Sequence, residues 1–246
     1  CFIIPGFIIT DKSLTKIERN RIWVIFLSAF FVIFFWAAFE QAGASLTFFA
    51  DEQTNRDLDF FGWHWQMPAS YFQSFNAMFI VLMAIPIGRL WTFLGKRNIE
   101  PSSPTKQAIG LFLLAIGYLI IAFGVKNVEP GIKVSIFWLV SLYFIHTLGE
   151  LCLSPIGLSM VNRLAPARFA SLLMGVWFLS TAAANKFAGL LSGLYPKDGE
   201  TTYLLGYAIS NLYDFFMAFV FMAGVASVIL FLISKKMQQM MHENPE

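Results

Sequence analysis

Charge is scarce in this chain. Only 13% of its 246 residues are Asp, Glu, Lys or Arg, while 57% are hydrophobic. An ordinary soluble domain carries about twice that share of charge. The net charge of +2 leaves no basic patch of the kind that grips nucleic acid. Cysteine is nearly absent. Cys1 and Cys152 are the only two, with no CxxC and no Cys/His spacing, which excludes a disulfide framework and a zinc site. There is no GxxxxGK[ST] loop and hence no built-in ATP motor. There is no signal-peptide pattern and no carbonyl-lined filter sequence of the potassium-channel type. The first residue is Cys rather than Met, so the chain reads as an internal piece of something longer, or as one lacking its first part.

What is abundant is apolar length. A bilayer span needs roughly 20 apolar residues at 1.5 Å rise each. Six stretches qualify, at 22–49, 69–92, 107–125, 134–161, 169–195 and 209–234. The opening CFIIPGFII is too short to cross. Twenty-eight Phe and seven Trp suit lipid-facing surfaces and interfacial belts. The expected fold is an all-α membrane protein, a six-transmembrane-helix bundle over 22–236, with a lead-in at 1–21 and a tail at 237–246. Thr15 followed by Glu18 reads as a capping box before the first span. Ser103 before Pro104 reads as the start of the third.

Loop charges are lopsided. Lys12, Lys16, Arg19 and Arg21 precede the first span. Arg89, Lys96, Arg97 and Lys106 lie between the second and third. Arg163, Arg168, Lys235 and Lys236 complete this side. The opposite side holds Arg56, Lys126, Lys133 and Lys197, with an acidic segment carrying Trp63 and Trp65. The basic side is expected in the cytoplasm, with both termini.

Within the spans a few polar residues stand out. Glu150 lies in SIFWLVSLYFIHTLGELCLSPIGLSMV. A carboxylate at that depth costs on the order of 3 kcal/mol by insertion measurements, and such groups are functional by default. Glu150 reads as a protonatable site or a partner for a substrate amine; a permanent ion pair is the plainer alternative. Glu40, followed by Gln41, reads as a gate residue, or as one half of a static pair with Lys186. Lys186 can instead snorkel outward along its own stem. His146, one turn before Glu150, is a candidate proton relay or a neutral, hydrogen-bonded histidine. Trp36 and Trp177 can wall an apolar pocket or simply pack. Asn76 can bond across helices or to a polar ligand. Pro155, between Gly149 and Gly157, reads as a gate bend or a static kink. Gly157-Leu-Ser-Met is a poor match to the Gly-x-Ser-Gly of intramembrane serine proteases. His146 is 13 residues from Ser159 on the same helix, about 20 Å along it.

Two resemblances sharpen this. GRLWTFLGKRN, with Gly88, Leu90, Gly95, Lys96 and Arg97, resembles the major facilitator superfamily loop signature, except that Thr92 stands where an acid is usual. FFWAAFEQAGASLTFFADEQTNR, GELCLSPIGLSMVNRLAP and LLMGVWFLSTAAAN closely resemble the second half of proton-dependent oligopeptide transporters. That resemblance implies spans seven to twelve of a twelve-span fold, the C-terminal half of a major facilitator protein. It implies that Glu150 receives a peptide's amino terminus. It also implies that Trp36, Asn76, Ser154, Trp177 and Phe178 line the cavity, and that Glu40 pairs with an arginine of the N-terminal half at the outer gate. The implied function is symport of di- and tripeptides with protons across the cell (inner) membrane. Protons serve as the coupling ion, with no other cofactor and no metal, and an N-terminal six-helix half is the structural partner. The alternatives are a symporter for another small solute on the same scaffold, or a standalone six-span protein, either an intramembrane enzyme or a structural subunit.

Overall fold

The structure, a computed structural model, describes residues 6, 8–129, 131–197 and 200–242. Cys1 and the rest of 1–5, part of the expected lead-in, and residues 243–246 of the expected tail lie outside the described residues. Seven helices carry the fold: α1 (Lys16–Phe39), α2 (Ser45–Glu52), α3 (Phe72–Lys96), α4 (Ser103–Val125), α5 (Ile136–Leu164), α6 (Ala170–Ser192) and α7 (Leu212–Met241). A short 3-10 turn, Glu40–Gly43, joins α1 to α2, and the two together form the first span. All six expected spans are present as helices long and apolar enough to cross a membrane.

The helices begin and end where local chemistry satisfies their free backbone groups. At the start of α1, Thr15 N donates to Glu18 Oε2 (2.8 Å) and Glu18 N donates to Thr15 Oγ1 (3.2 Å), the expected capping box. α1 therefore starts at Lys16, ahead of the apolar run. At α4 the N-cap is Ser102 rather than Ser103, which becomes the first helical residue with Pro104 behind it. α7 runs on to Met241, through part of the stretch read as tail. Arg21 ties the two ends together, with Nε donating to Met241 O (2.9 Å).

The ends opposite the basic loops carry small strands that the apolar pattern did not announce. β2 (Asp57–Phe60) pairs antiparallel with β3 (Trp63–Gln66), and β5 (Thr202–Leu204) with β6 (Tyr207–Ile209). Both hairpins turn on two residues with positive φ, Phe61-Gly62 and Leu205-Gly206. Such a turn matches strand twist, and glycine makes its second position cheap. β1 (Thr54–Asn55) and β4 (Val134–Ser135) add a two-residue parallel bridge.

Packing is uneven. α4 packs most extensively on α7 and α5; α1 lies on α6 and α7; α3 has α5 as its main neighbour. Of α3 only Phe72 is buried. The tight α4–α5 contact rests on glycines one heptad apart. A Cβ on Gly110 would lie 2.8 Å from Gly149 O, and one on Gly149 would lie 2.8 Å from Gly110 O. A Cβ on Gly117 would overlap the His146 ring, and one on Gly124 the Trp138 ring. Small residues let helix backbones approach where lipid offers no hydrophobic drive for association.

Replacing Gly149 with alanine is expected to force these backbones apart and to cost about 1–3 kcal/mol, the usual penalty of overpacking. Gly175→Ala is the control, because a Cβ there meets nothing within 4 Å. Thermal midpoints in detergent should fall for the first and hold or rise for the second.

Candidate functional site

The first span breaks where its acid sits. Residues 40–43 form a 3-10 turn, and Ala44 leaves helical geometry altogether (φ −129°, ψ −106°). At membrane depth every freed carbonyl needs a donor, because no water is available. Backbone N–H groups meet some of them, as Ala44 N does Gln41 O (3.0 Å), and side chains meet others. Gln41 Nε2 donates to Ala37 O (3.1 Å) and, across to α6, to Ala188 O (3.0 Å). Ser45 Oγ donates to Gln41 Oε1 (2.6 Å). Tyr118 Oη of α4 donates to Ala38 O (2.6 Å), and Thr47 Oγ1 to Ala42 O (2.8 Å). Gln41, Ser45 and Tyr118 are fully buried. Gln41 is thus the tie that holds the break against α6, a role within the bundle. Its neighbour Glu40 points outward, and Lys186 is exposed on α6. Among the described residues the two form no ion pair, which corrects the static-pair reading of both.

Glu150 is partly buried on α5 and faces α3. Asn76 Nδ2 donates to Glu150 Oε2 (2.9 Å) and to Thr147 Oγ1 (3.1 Å). The Thr147 hydroxyl in turn donates to Tyr143 O (2.7 Å). No cation pairs with Glu150 among the described residues, so the permanent ion-pair alternative finds no partner within this bundle. Asn76, read as able to bond across helices or to a polar ligand, is brought directly onto the acid. Thr147 was not singled out. Its position three residues before Glu150, on the same helix face, was the signal available.

His146 points the other way. It is buried against α4, its Nε2 is 3.2 Å from Leu114 O, and its ring centroid is 4.8 Å from that of Tyr118. A carbonyl only accepts, so Nε2 carries the proton. This is a hydrogen-bonded packing position, and His146 makes no bond to Glu150.

The aromatic candidates separate. Trp36 is half-buried among Phe35 and Phe39. Trp177 is 4% exposed, its ring set over Gly157, where a Cβ would overlap it. That is a packing position, and it corrects the cavity-lining expectation for Trp177 in this bundle. Phe178 is 59% exposed and turned away from the core. Ser154 is half-buried one turn beyond Glu150. α5 runs unbroken through Pro155, whose ring is exposed. A separate opening of about 1190 Å³ lies at the end opposite the basic loops, between Phe48, Glu52, Lys126, Tyr195 and Tyr213, and includes none of the expected site residues.

Residues 3–206 match the family described as PTR2, the POT family. The "Peptide transporter YePEPT" of Yersinia enterocolitica is 38% identical over 194 residues, 78% of this chain and 37% of that protein. The "Di-/tripeptide transporter" of Lactococcus lactis subsp. lactis is 32% identical over 231 residues, 92% of this chain and 43% of that protein. A mutant of the peptide transporter POT, solved in complex with alafosfalin, matches with TM-score 0.81 at 32% identity, covering 98% of this chain and 47% of that one. A POT family transporter solved in complex with 5-aminolevulinic acid gives TM-score 0.82 at 30% identity, covering 96% and 45%. The chain thus spans well under two thirds of the length of these relatives.

Trp177→Ala should act on stability, lowering it by about 3–5 kcal/mol as a large-to-small core change. Phe178→Ala should leave stability nearly unchanged. Chemical denaturation of the two variants side by side tests the assignment.

Proposed function

The chain belongs to the POT family, and from that premise we propose that it is the C-terminal six-helix half of a proton-coupled symporter of di- and tripeptides. The carrying observation is Glu150, a carboxylate within the span helices that has an amide donor but no cationic partner among the described residues. Such a group is open to a proton or to a ligand's ammonium. Burial favours the neutral form and a nearby cation the charged one, so a single carboxyl can exchange one for the other. The names of the relatives support peptides as the substrate class.

The protein in this reading is a secondary transporter and not an enzyme. Six further helices, the N-terminal half, face α1, α3, α5 and α6 across a midplane cavity, and the halves rock to expose it to each side in turn. The sparse cover of α3 within the bundle fits a helix with a second surface to meet. Asn76, Trp36, Ser154 and Phe178 lie beside the peptide, Glu40 meets a cation of the other half when the outer gate closes, and Pro155 allows the basic end of α5 to bend. Lys186, exposed and paired with no acid among the described residues, is left to snorkel. The basic end faces the cytoplasm of a cell whose inner membrane holds the protein. A transmembrane potential supplies about 2.3 kcal/mol per charge per 100 mV, in addition to the pH gradient.

A second reading has support of its own. The similar transporter bound to 5-aminolevulinic acid holds a small amine-bearing solute. A site built on an ammonium acceptor suits that class as well.

Uptake of a labelled dipeptide into liposomes containing the complete transporter, with and without an inward proton gradient, decides between them. Gradient-dependent accumulation is expected, and Glu150→Gln is expected to abolish it. No uptake by folded wild-type protein would move the substrate to the second reading, and concentrative uptake by the Gln variant would remove Glu150 from the coupling.

A further inference from the structure

Thr147 makes a distinction that Asn76 and Glu150 alone do not. Its side chain is fully buried in α5. Its single hydroxyl hydrogen is spent on Tyr143 O at 2.7 Å, so toward Asn76 the Oγ1 atom offers only lone pairs. The amide of Asn76 has two chemically opposite ends, and only the Nδ2 end can meet such an acceptor. With Nδ2 placed at 3.1 Å from Thr147 Oγ1, its second hydrogen falls on Glu150 Oε2 at 2.9 Å. Both amide hydrogens are used. Turned over, the amide would set Oδ1 against the Thr147 lone pairs, and the hydroxyl would have to abandon Tyr143 to relieve it.

We propose that Thr147 is a positioning residue, which locks the Asn76 amide with Nδ2 toward Glu150 and thereby directs a proton or a ligand's ammonium to Glu150 Oε1. With the amide locked, Oε2 faces an N–H and has no acceptor to which a proton on it could be donated. The protonated carboxyl then carries its hydrogen on Oε1. Without the lock, a protonated Oε2 could turn the amide and donate to Oδ1, which would stabilise the neutral acid. Thr147 therefore favours the ionised form of Glu150 through Asn76. This rests on the reading of Glu150 as the group that takes up the proton.

The other charged and titratable groups on the packed helices leave this arrangement free to act. Among the described residues Glu40, after α1, makes no hydrogen bond to Glu150 and points outward from the bundle. From α4, Lys106 is paired with Glu100 and Tyr118 is bonded to Ala38 O. On α5 itself, His146 is held at Leu114 O. Lys186 of α6 pairs with no acid among the described residues, and Arg89 of α3 is 13 residues from Asn76, about 20 Å along the helix.

The test is an infrared titration of the Glu150 carboxyl in the complete transporter in lipid, with the band assigned by its loss in Glu150→Gln. Thr147→Val keeps the shape and removes the acceptor, and it should raise the midpoint by about one pH unit, the worth of one hydrogen bond. Thr147→Ser should restore the wild-type midpoint. In an Asn76→Ala background Thr147→Val should shift nothing further, and Thr147→Ala provides the same readout if the valine variant does not fold. An unmoved midpoint in Thr147→Val, or an equal shift without Asn76, overturns the lock. Dipeptide uptake by the wild type is measured in the same vesicles. A shifted midpoint without uptake keeps the lock and removes the peptide reading; uptake with an unmoved midpoint does the reverse.

Discussion

A backbone that leaves helical geometry inside a membrane must bring its own hydrogen-bond donors. That constraint governs the first span and, through it, much of the bundle. The break at residues 40–44 disturbs carbonyls that lipid cannot solvate: Ala37, Ala38 and Ala42 O accept from the side chains of Gln41, Tyr118 and Thr47, and Gln41 O from the backbone N–H of Ala44. Two of the bonds reach other helices. Gln41 joins the break to α6 at Ala188 O, and Tyr118 joins it to α4. The break is thus a junction of three helices, and Glu40 leaves it facing outward. An acid placed on an ordinary helical turn would share its face with neighbours one turn away; here the turn itself is displaced.

The same economy shapes the second acid. Among the described residues Glu150 has no cationic partner; it is steadied by one amide, and that amide is steadied by a threonine whose own hydrogen is committed to the backbone. A buried polar network in which every hydrogen has a destination leaves little freedom in how it can be arranged. Among the described residues the other Glu150 oxygen, Oε1, makes no hydrogen bond.

Much of this was legible in the amino-acid sequence. Six spans follow from apolar length, and the capping box from the spacing of Thr15 and Glu18. Other features were not legible, for definite reasons. Hydropathy averages over a window, so a break satisfied by Gln41 and Tyr118 looks like continuous helix. Trp177 and Phe178 are adjacent and equally apolar, and only the glycine at 157, on another helix, decides which one is enclosed. His146 and Glu150 are four apart and share a helix stripe, yet the histidine follows the glycine at 117 toward α4 while the acid follows Asn76 toward α3. The hairpins at the loop ends rest on Phe61-Gly62 and Leu205-Gly206, dipeptides too brief to register beside spans of twenty residues. For Trp177, His146 and Glu150 the deciding contact lies on a different element from the residue it positions.

The glycine seam between α4 and α5 also divides the bundle by durability. Where backbones touch at Gly110 and Gly149, and α7 covers the other side of α4, amide protons are enclosed by protein on every side. α3 has no such cover within the bundle. Opening free energies in a folded protein follow local packing of this kind. The α4–α5–α7 group is therefore the slow-exchanging frame, and α3 the segment whose amides trade hydrogen for deuterium first. The two partners in the Asn76–Glu150 bond come from opposite sides of that divide, one from the frame and one from the thinly covered helix.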